Sequence, residues 1–165
     1  MVEVDWARAG LESAGFEGFV RFSELPVSDV PTDPGVYVVM RTCAEGRAFL
    51  ARSVAGHFKG IDPTVSIELL EEKWVVGADV VYIGKAAWGK KHNGIRRRLS
   101  EFRRYGAGRN VGHRGGEYIW QLADHTELVV CWKVMPDSLV KSSETALILD
   151  FRREYGTRPF ANRTE

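Results

Sequence analysis

Two short segments of alternating hydrophobic character, Val36 to Arg41 and Asp79 to Gly84, constrain the fold more than any other feature of this chain. Pieces this short are stable only when paired within a sheet, so residues far apart in sequence must meet. In the first, Val36, Val38 and Met40 alternate with Tyr37, Val39 and Arg41, which predicts a strand with an apolar face and Tyr37 on the opposite side. In the second, Tyr82 alternates with Val81 and Ile83, and the strand runs out into Gly84-Lys85-Ala86-Ala87-Trp88-Gly89. Glu117 to Leu122 and Glu127 to Met135 read as a hairpin, because Leu128, Val130, Trp132 and Val134 keep strict period two.

Helical patterns fill the intervals. Residues 5–14 read as a short helix with Asp5 as its N-cap and Gly15 just beyond it. Phe19-Val20-Arg21-Phe22 leads into a turn-rich passage from Leu25 to Gly35, which Pro26, Pro31 and Pro34 keep out of regular structure. Asp62-Pro63 predicts a helix start, with Asp at the N-cap, Pro at the first position, and Ile67, Leu70 and Trp74 along one face. A further helix over residues 93–105 carries Ile95, Leu99 and Phe102 inward and is stopped by Gly106-Ala107-Gly108; the last covers residues 138–155 and is closed by Gly156. The expected fold is α/β (α+β): a small, mainly antiparallel central sheet flanked by helices.

At 165 residues, with 44% hydrophobic and 27% charged residues, residues 1–165 read as a single folded domain rather than a disordered chain. Apolar runs such as Ala146 to Leu149 are far too short to span a bilayer. Met1-Val2-Glu3-Val4-Asp5 lacks the basic and apolar parts of a secretory signal, so a cytoplasmic location is expected. Cys43 and Cys131 stand alone in hydrophobic surroundings and read as buried free thiols, and the four histidines are too scattered for a histidine-rich metal site.

The net charge of +1 conceals a partition. Residues 85–114 hold ten basic residues and one acidic, a block of +9 that favours phosphate-rich partners, and Trp88, Phe102 and Tyr105 interleave with it as bases prefer. Lys85, Lys90, Lys91, Arg96, Arg97, Arg103, Arg104 and Arg109 are the candidate nucleic-acid contacts. A solvated basic helix would have the same composition.

Two residues stand where charge is expensive. Val140, Leu147, Ile148, Phe151 and Tyr155 form a stripe on the last helix, and Glu144 occupies a position within it. A carboxylate there requires a cation or an ion-pair partner. Arg98 lies at the edge of the Ile95-Leu99-Phe102 stripe, suited either to clamp a phosphate or to neutralise Glu144. Gly84-x-x-x-x-Gly89-Lys90 approaches a P-loop, which keeps a phosphotransferase in view, but Lys91 stands where Ser or Thr would hold Mg²⁺. His92-Asn93 with His113 lacks the framework of an HNH nuclease.

Taken in order, Gly35-Val36-Tyr37, Tyr82-Ile83-Gly84, Arg98, Glu144 and Asn162 resemble the GIY-YIG nuclease superfamily. Tyr82-Ile83-Gly84-Lys85-Ala86 leading to Arg96-Arg97-Arg98-Leu99 is similar to the nuclease domain of the nucleotide-excision-repair incision protein, and Glu144-x-x-Leu147-Ile148 followed by Pro159-Phe160-Ala161-Asn162 also follows the family pattern. The resemblance implies a family core over residues 35–162, an N-terminal extension over 1–34 and an insertion over 46–78 that loops out between the two triplets. It departs from some members in placing Phe102, not histidine, one turn after Arg98, and no additional DNA-binding module is expected.

What the resemblance implies is a divalent-metal-dependent endonuclease acting on DNA, with RNA also possible as substrate. Glu144 would anchor one Mg²⁺ or Mn²⁺, and Tyr37, assisted by Tyr82, would activate water as a phenolate favoured by Lys85, Arg98 or the metal. Arg98 would stabilise the transition state, and Asn162 would hold the tyrosine or water. The alternative within the same fold is a catalytically silent nucleic-acid-binding module.

Overall fold

The computed structural model describes residues 4–43 and 45–163, apart from the side chain of Arg114. Four strands, β1 (Glu17–Arg21), β2 (Gly35–Met40), β3 (Val80–Ala86) and β4 (Val129–Val134), form one antiparallel sheet in the order β1-β4-β2-β3. Four α-helices flank it: α1 (Arg8–Ser13), α2 (Ile67–Lys73), α3 (Gly94–Gly106) and α4 (Asp137–Tyr155). The architecture is thus a small α+β one with a four-stranded antiparallel sheet. No helix among the described residues is long and apolar enough to cross a membrane.

Alternation along β2 divides the core into two layers. Tyr37 and Val39 point into the first, with Ile95, Leu99 and Phe102 of α3, while Val36, Val38 and Met40 enter the second, with Leu11 of α1 and Phe151 of α4. Both faces are therefore covered, and all of β2 is buried. The register sets Tyr37 opposite Gly84 and Val39 opposite Tyr82. A Cβ on Gly84 would overlap the Tyr37 ring, and one on Gly35 would overlap the Lys133 carbonyl, so both triplet glycines are required by close approach.

The stretch between β2 and β3 does not loop out as expected. Ala55 and Leu70 are buried in the first layer, and Phe49, Phe58, Val65, Leu69 and Trp74 pack against it. Buried Gln121 secures this stretch by accepting from the Val65 N–H (3.0 Å) and donating to the carbonyls of Leu50 (3.0 Å) and Val65 (2.8 Å). The strand pair survives because the excursion builds core instead of leaving it.

Local expectations are corrected at four places. The helix expected at Asp62-Pro63 begins at Ile67, where the Ser66 hydroxyl caps the Leu69 N–H, while Asp62 accepts from the Thr64 N–H (2.9 Å) and so forms a turn. Asp5 likewise accepts from the Ala7 N–H, and α1 starts only at Arg8. Part of the proline-rich passage coils as a 3-10 helix over Phe22–Val27, with Pro26 inside it. The expected hairpin has only its second strand: Arg114–Gln121 forms 3-10 turns, because β2 and β1 already occupy the two edges of β4. By contrast, α3 and α4 fall within a residue of expectation at either end, and Gly156 ends α4 with a left-handed φ of 79°.

Candidate functional site

A cleft of about 350 Å³ opens beside β3 and α4. Tyr82 and Lys85 reach it from β3, Glu144 from α4, and Asn162 from the segment after that helix. Although α4 lies mainly against the second layer, Glu144 shares this wall with Tyr82 because β3 is an edge strand and the helix borders it. Tyr37 and Arg98 do not line the cleft. Tyr37 is 0% exposed behind Tyr82, its ring centroid 6.0 Å away.

Glu144 is paired with Lys85, Oε1 to Nζ 3.2 Å, the two side chains being 17% and 45% exposed. Arg98 is not its partner. The Arg98 guanidinium instead donates to Glu101 (3.0 Å) and to the Gly112 carbonyl (3.2 Å), and Glu101 also binds Arg97 (2.9 Å). The one acidic residue in the basic block therefore neutralises two arginines. Arg98 still projects its charge onto Tyr37, Tyr82 and His113.

Asn162 clamps the second triplet. Its side-chain oxygen accepts from the Ile83 N–H (3.0 Å) and its amide donates to the Ile83 carbonyl (2.8 Å), while the Ala161 N–H reaches the Val81 carbonyl (2.8 Å). This completes hydrogen bonding on the outer edge of β3. Asn162 is thereby a positioning residue: it holds the strand that carries Tyr82.

Sequence reasoning named His113 only in the HNH comparison and gave it no place in this site. It comes from the loop after α3, is 1% exposed, and places Nε2 2.7 Å from the Tyr37 hydroxyl. Its ring stacks in parallel on Phe102 at 3.6 Å. Nothing in the spacing of His113 marks it. Nδ1 has no hydrogen-bond partner among the described residues.

Burial decides the protonation of this cluster. Removal from water pushes the Tyr82 phenol up to about 12, and it raises Tyr37 well above the usual phenol range, with Tyr82 adding to the rise and Arg98 opposing it. Burial, reinforced by Arg98, holds His113 well below the ordinary histidine value. Without a bound cation, both phenols and the imidazole are consequently neutral. The tautomer sets the polarity of the contact: a proton on Nδ1 makes Nε2 an acceptor for Tyr37, whereas a proton on Nε2 reverses it.

The remaining basic residues are spread over several surfaces. Lys90, Lys91, Arg96, Arg97 and Arg104 line one open groove along α3, which shares no lining residue with the cleft. Arg103 lies in a depression beside Leu25 and Pro26 that adjoins the groove at Arg96 and Ser100, and Arg109 is exposed beyond the helix. The P-loop reading lacks its donors, because the Ile95 and Arg96 N–H groups at the start of α3 are held by the Asp33 and Pro31 carbonyls (both 2.9 Å). Cys131 is buried as expected, whereas Cys43 is half-buried.

Among the described residues no group of three or more His, Cys, Asp or Glu is placed to hold a metal. The chain matches no family model, no curated protein and no solved structure.

Proposed function

We propose that this chain is a GIY-YIG-type endonuclease that hydrolyses phosphodiester bonds in DNA with one divalent metal ion. The observation that carries the reading is the convergence of Tyr82, Glu144 and Asn162 on one cleft with Tyr37 directly behind, from positions as far apart as 37 and 162. A packing role alone would not require a carboxylate, a lysine and a phenol to share that wall.

The donor set fits Mg²⁺ or Mn²⁺ in one mode only. Among the described residues Glu144 is the sole carboxylate lining the cleft, which suits an ion that keeps several waters and takes its other ligands from phosphate. Glu144 would hold the ion, exchanging Lys85 for it. Such an ion supplies Lewis-acid polarisation of the phosphate and stabilises charge on the leaving oxygen.

The chain's own residues supply proton transfer and positioning. Tyr82 faces the cleft, so it, rather than Tyr37, meets the attacking water. As Tyr82 takes the water's proton, its own passes to Tyr37, and the Tyr37 proton passes to His113 Nε2, which accepts when Nδ1 carries the imidazole hydrogen. An entering phosphate offsets the Arg98 charge that depresses His113 and raises the imidazole's proton affinity when it is needed. Asn162 fixes β3 throughout.

The test is nicking of supercoiled plasmid, duplex oligonucleotides and structured RNA with Mg²⁺, Mn²⁺ or chelator. Wild type should nick DNA only with metal. Glu144→Gln should lose cleavage while retaining binding, and its stability should change by no more than about 1 kcal/mol, since its partner Lys85 is half exposed and regains water. Binding without cleavage under any metal would make the chain a nucleic-acid-binding module; a Glu144→Gln variant that cleaves at the wild-type rate would sink the metal-ligand role.

A further inference from the structure

Trp88, Phe102 and Tyr105 are the aromatic residues of the basic block, and only one of them can reach a ligand. Phe102 and Tyr105 are fully buried in the first layer, so neither ring can meet a base. Trp88 is different. Of the five tryptophans, Trp6, Trp120 and Trp132 are buried in the two layers and Trp74 packs against the first, whereas Trp88 belongs to neither layer and is half-buried. An indole kept out of a core that accepts the others forgoes a large burial gain, which a ligand stacked on it would restore.

The ring is held in place. The Trp88 N–H donates to Asp137 Oδ1 (2.7 Å) at the start of α4, which ties the segment after β3 to that helix. Exposed His92 meets the indole edge to face, with ring centroids 4.9 Å apart and planes at 84°. The chain comes back to the indole through Gly89 (φ 71°) and His92 (φ 52°), the second a left-handed conformation that a side chain disfavours. The pair therefore stands preformed at the surface.

Its place on the chain is between the cleft and the groove. Lys85, just before it, lines the cleft with Tyr82 and Glu144, while Gly89, Lys90 and Lys91, just after it, line the groove along α3. These two surfaces share no lining residue, and Trp88 lies on the short segment that links them.

We propose that Trp88 and His92 form a stacking subsite for an unpaired nucleobase of DNA, beside the phosphates met by Lys90 and Lys91. Every base has an aromatic face, so such a platform accepts any sequence, but a base inside a duplex has its faces covered by its neighbours. The subsite thus favours substrates with an unpaired nucleotide near the cut. That the strand is a substrate rests on the nuclease reading; the seating of a base on Trp88 is measured apart from cleavage.

In chelator, the intrinsic fluorescence of wild type is titrated with a single-stranded oligodeoxynucleotide and with a blunt duplex of equal length. The single strand should quench the tryptophan signal and the duplex much less. Trp88→Leu should weaken single-strand binding by about tenfold, the size of one lost base stack, with duplex affinity and melting temperature unchanged, and Trp88→Tyr, which keeps a ring, should recover most of the loss. Unchanged single-strand affinity in Trp88→Leu, or an equal loss for single strand and duplex, overturns the subsite. A strand of abasic units keeps the phosphates without the bases; if it quenches wild type as the normal strand does, the subsite falls whatever the variants do. With Mg²⁺, wild type should cut a duplex containing an unpaired loop faster than a fully paired one, and Trp88→Leu should lose that preference through KM. If wild type never cuts, yet only base-bearing strands quench it, the subsite stands and the nuclease reading falls. If wild type cuts looped and paired duplexes alike and abasic strands quench fully, the reverse holds.

Discussion

Gly84 faces Tyr37 across the β2–β3 pair, where a methyl group would enter the space of the phenol ring. Gly84→Ala should therefore cost about 1–3 kcal/mol through overpacking, read as a lower urea midpoint with an unchanged slope. His113 gives a residue-scale signature in pH. Its folded pKa lies well below the unfolded value of 6.5, so below pH 6.5 the unfolded chain binds a proton that the folded chain refuses. Stability should be fully present above pH 6.5 and decline as pH falls through that value, by at most about 1.4 kcal/mol per pH unit from this group. His113→Gln should flatten the decline between pH 6.5 and 5. It will not abolish it, because burial also lowers His125 and that group acts with the same sign. An identical slope in the variant would show that His113 titrates normally.

At the scale of elements, β3 is an edge strand whose outer side is completed by a side chain rather than by another strand. Asn162→Ala removes both bonds to Ile83 and should destabilise by about 1–3 kcal/mol, with hydrogen exchange at the Ile83 amide accelerated well before that of β2. Protection at Ile83 equal to wild type would count against the clamp. Elements also show where sequence patterning sufficed. Ile95, Leu99 and Phe102 determined the buried side of α3, and alternation in β2 correctly set Tyr37 opposite Val36 and Val38. It failed for residues 117–122, where local pattern was read as a strand although partners distant in sequence had taken both edges of β4.

Across the whole molecule, basic residues line both the groove along α3 and the cleft beside β3 and α4. Phosphate neutralisation releases counterions, so DNA affinity should fall steeply with salt, and removing one contact should reduce the log–log slope by about 1. Arg104→Glu, within the groove, should weaken binding to all sequences more than Arg103→Glu, which lines the adjoining depression and not the groove itself. Equal effects from the two reversals, or affinity that ignores salt, would mean that the groove is only solvated surface.

The linear sequence determined the α+β class and the extents of α3 and α4, because periodicity and helix stops are local properties, while roles for Tyr37, Tyr82, Arg98, Glu144 and Asn162 came only as what a resemblance implies. Only the tertiary structure decided who meets whom. Glu144 faces Lys85 instead of Arg98, His113 reaches Tyr37 over 76 positions of separation, and Tyr82 rather than Tyr37 faces the cleft. Burial then set the neutral state of the phenols and imidazole, since the free energy of a charge depends on the water and partners around it. Contacts between residues this distant are fixed by packing of both layers against the sheet, and no spacing along the chain encodes them in readable form.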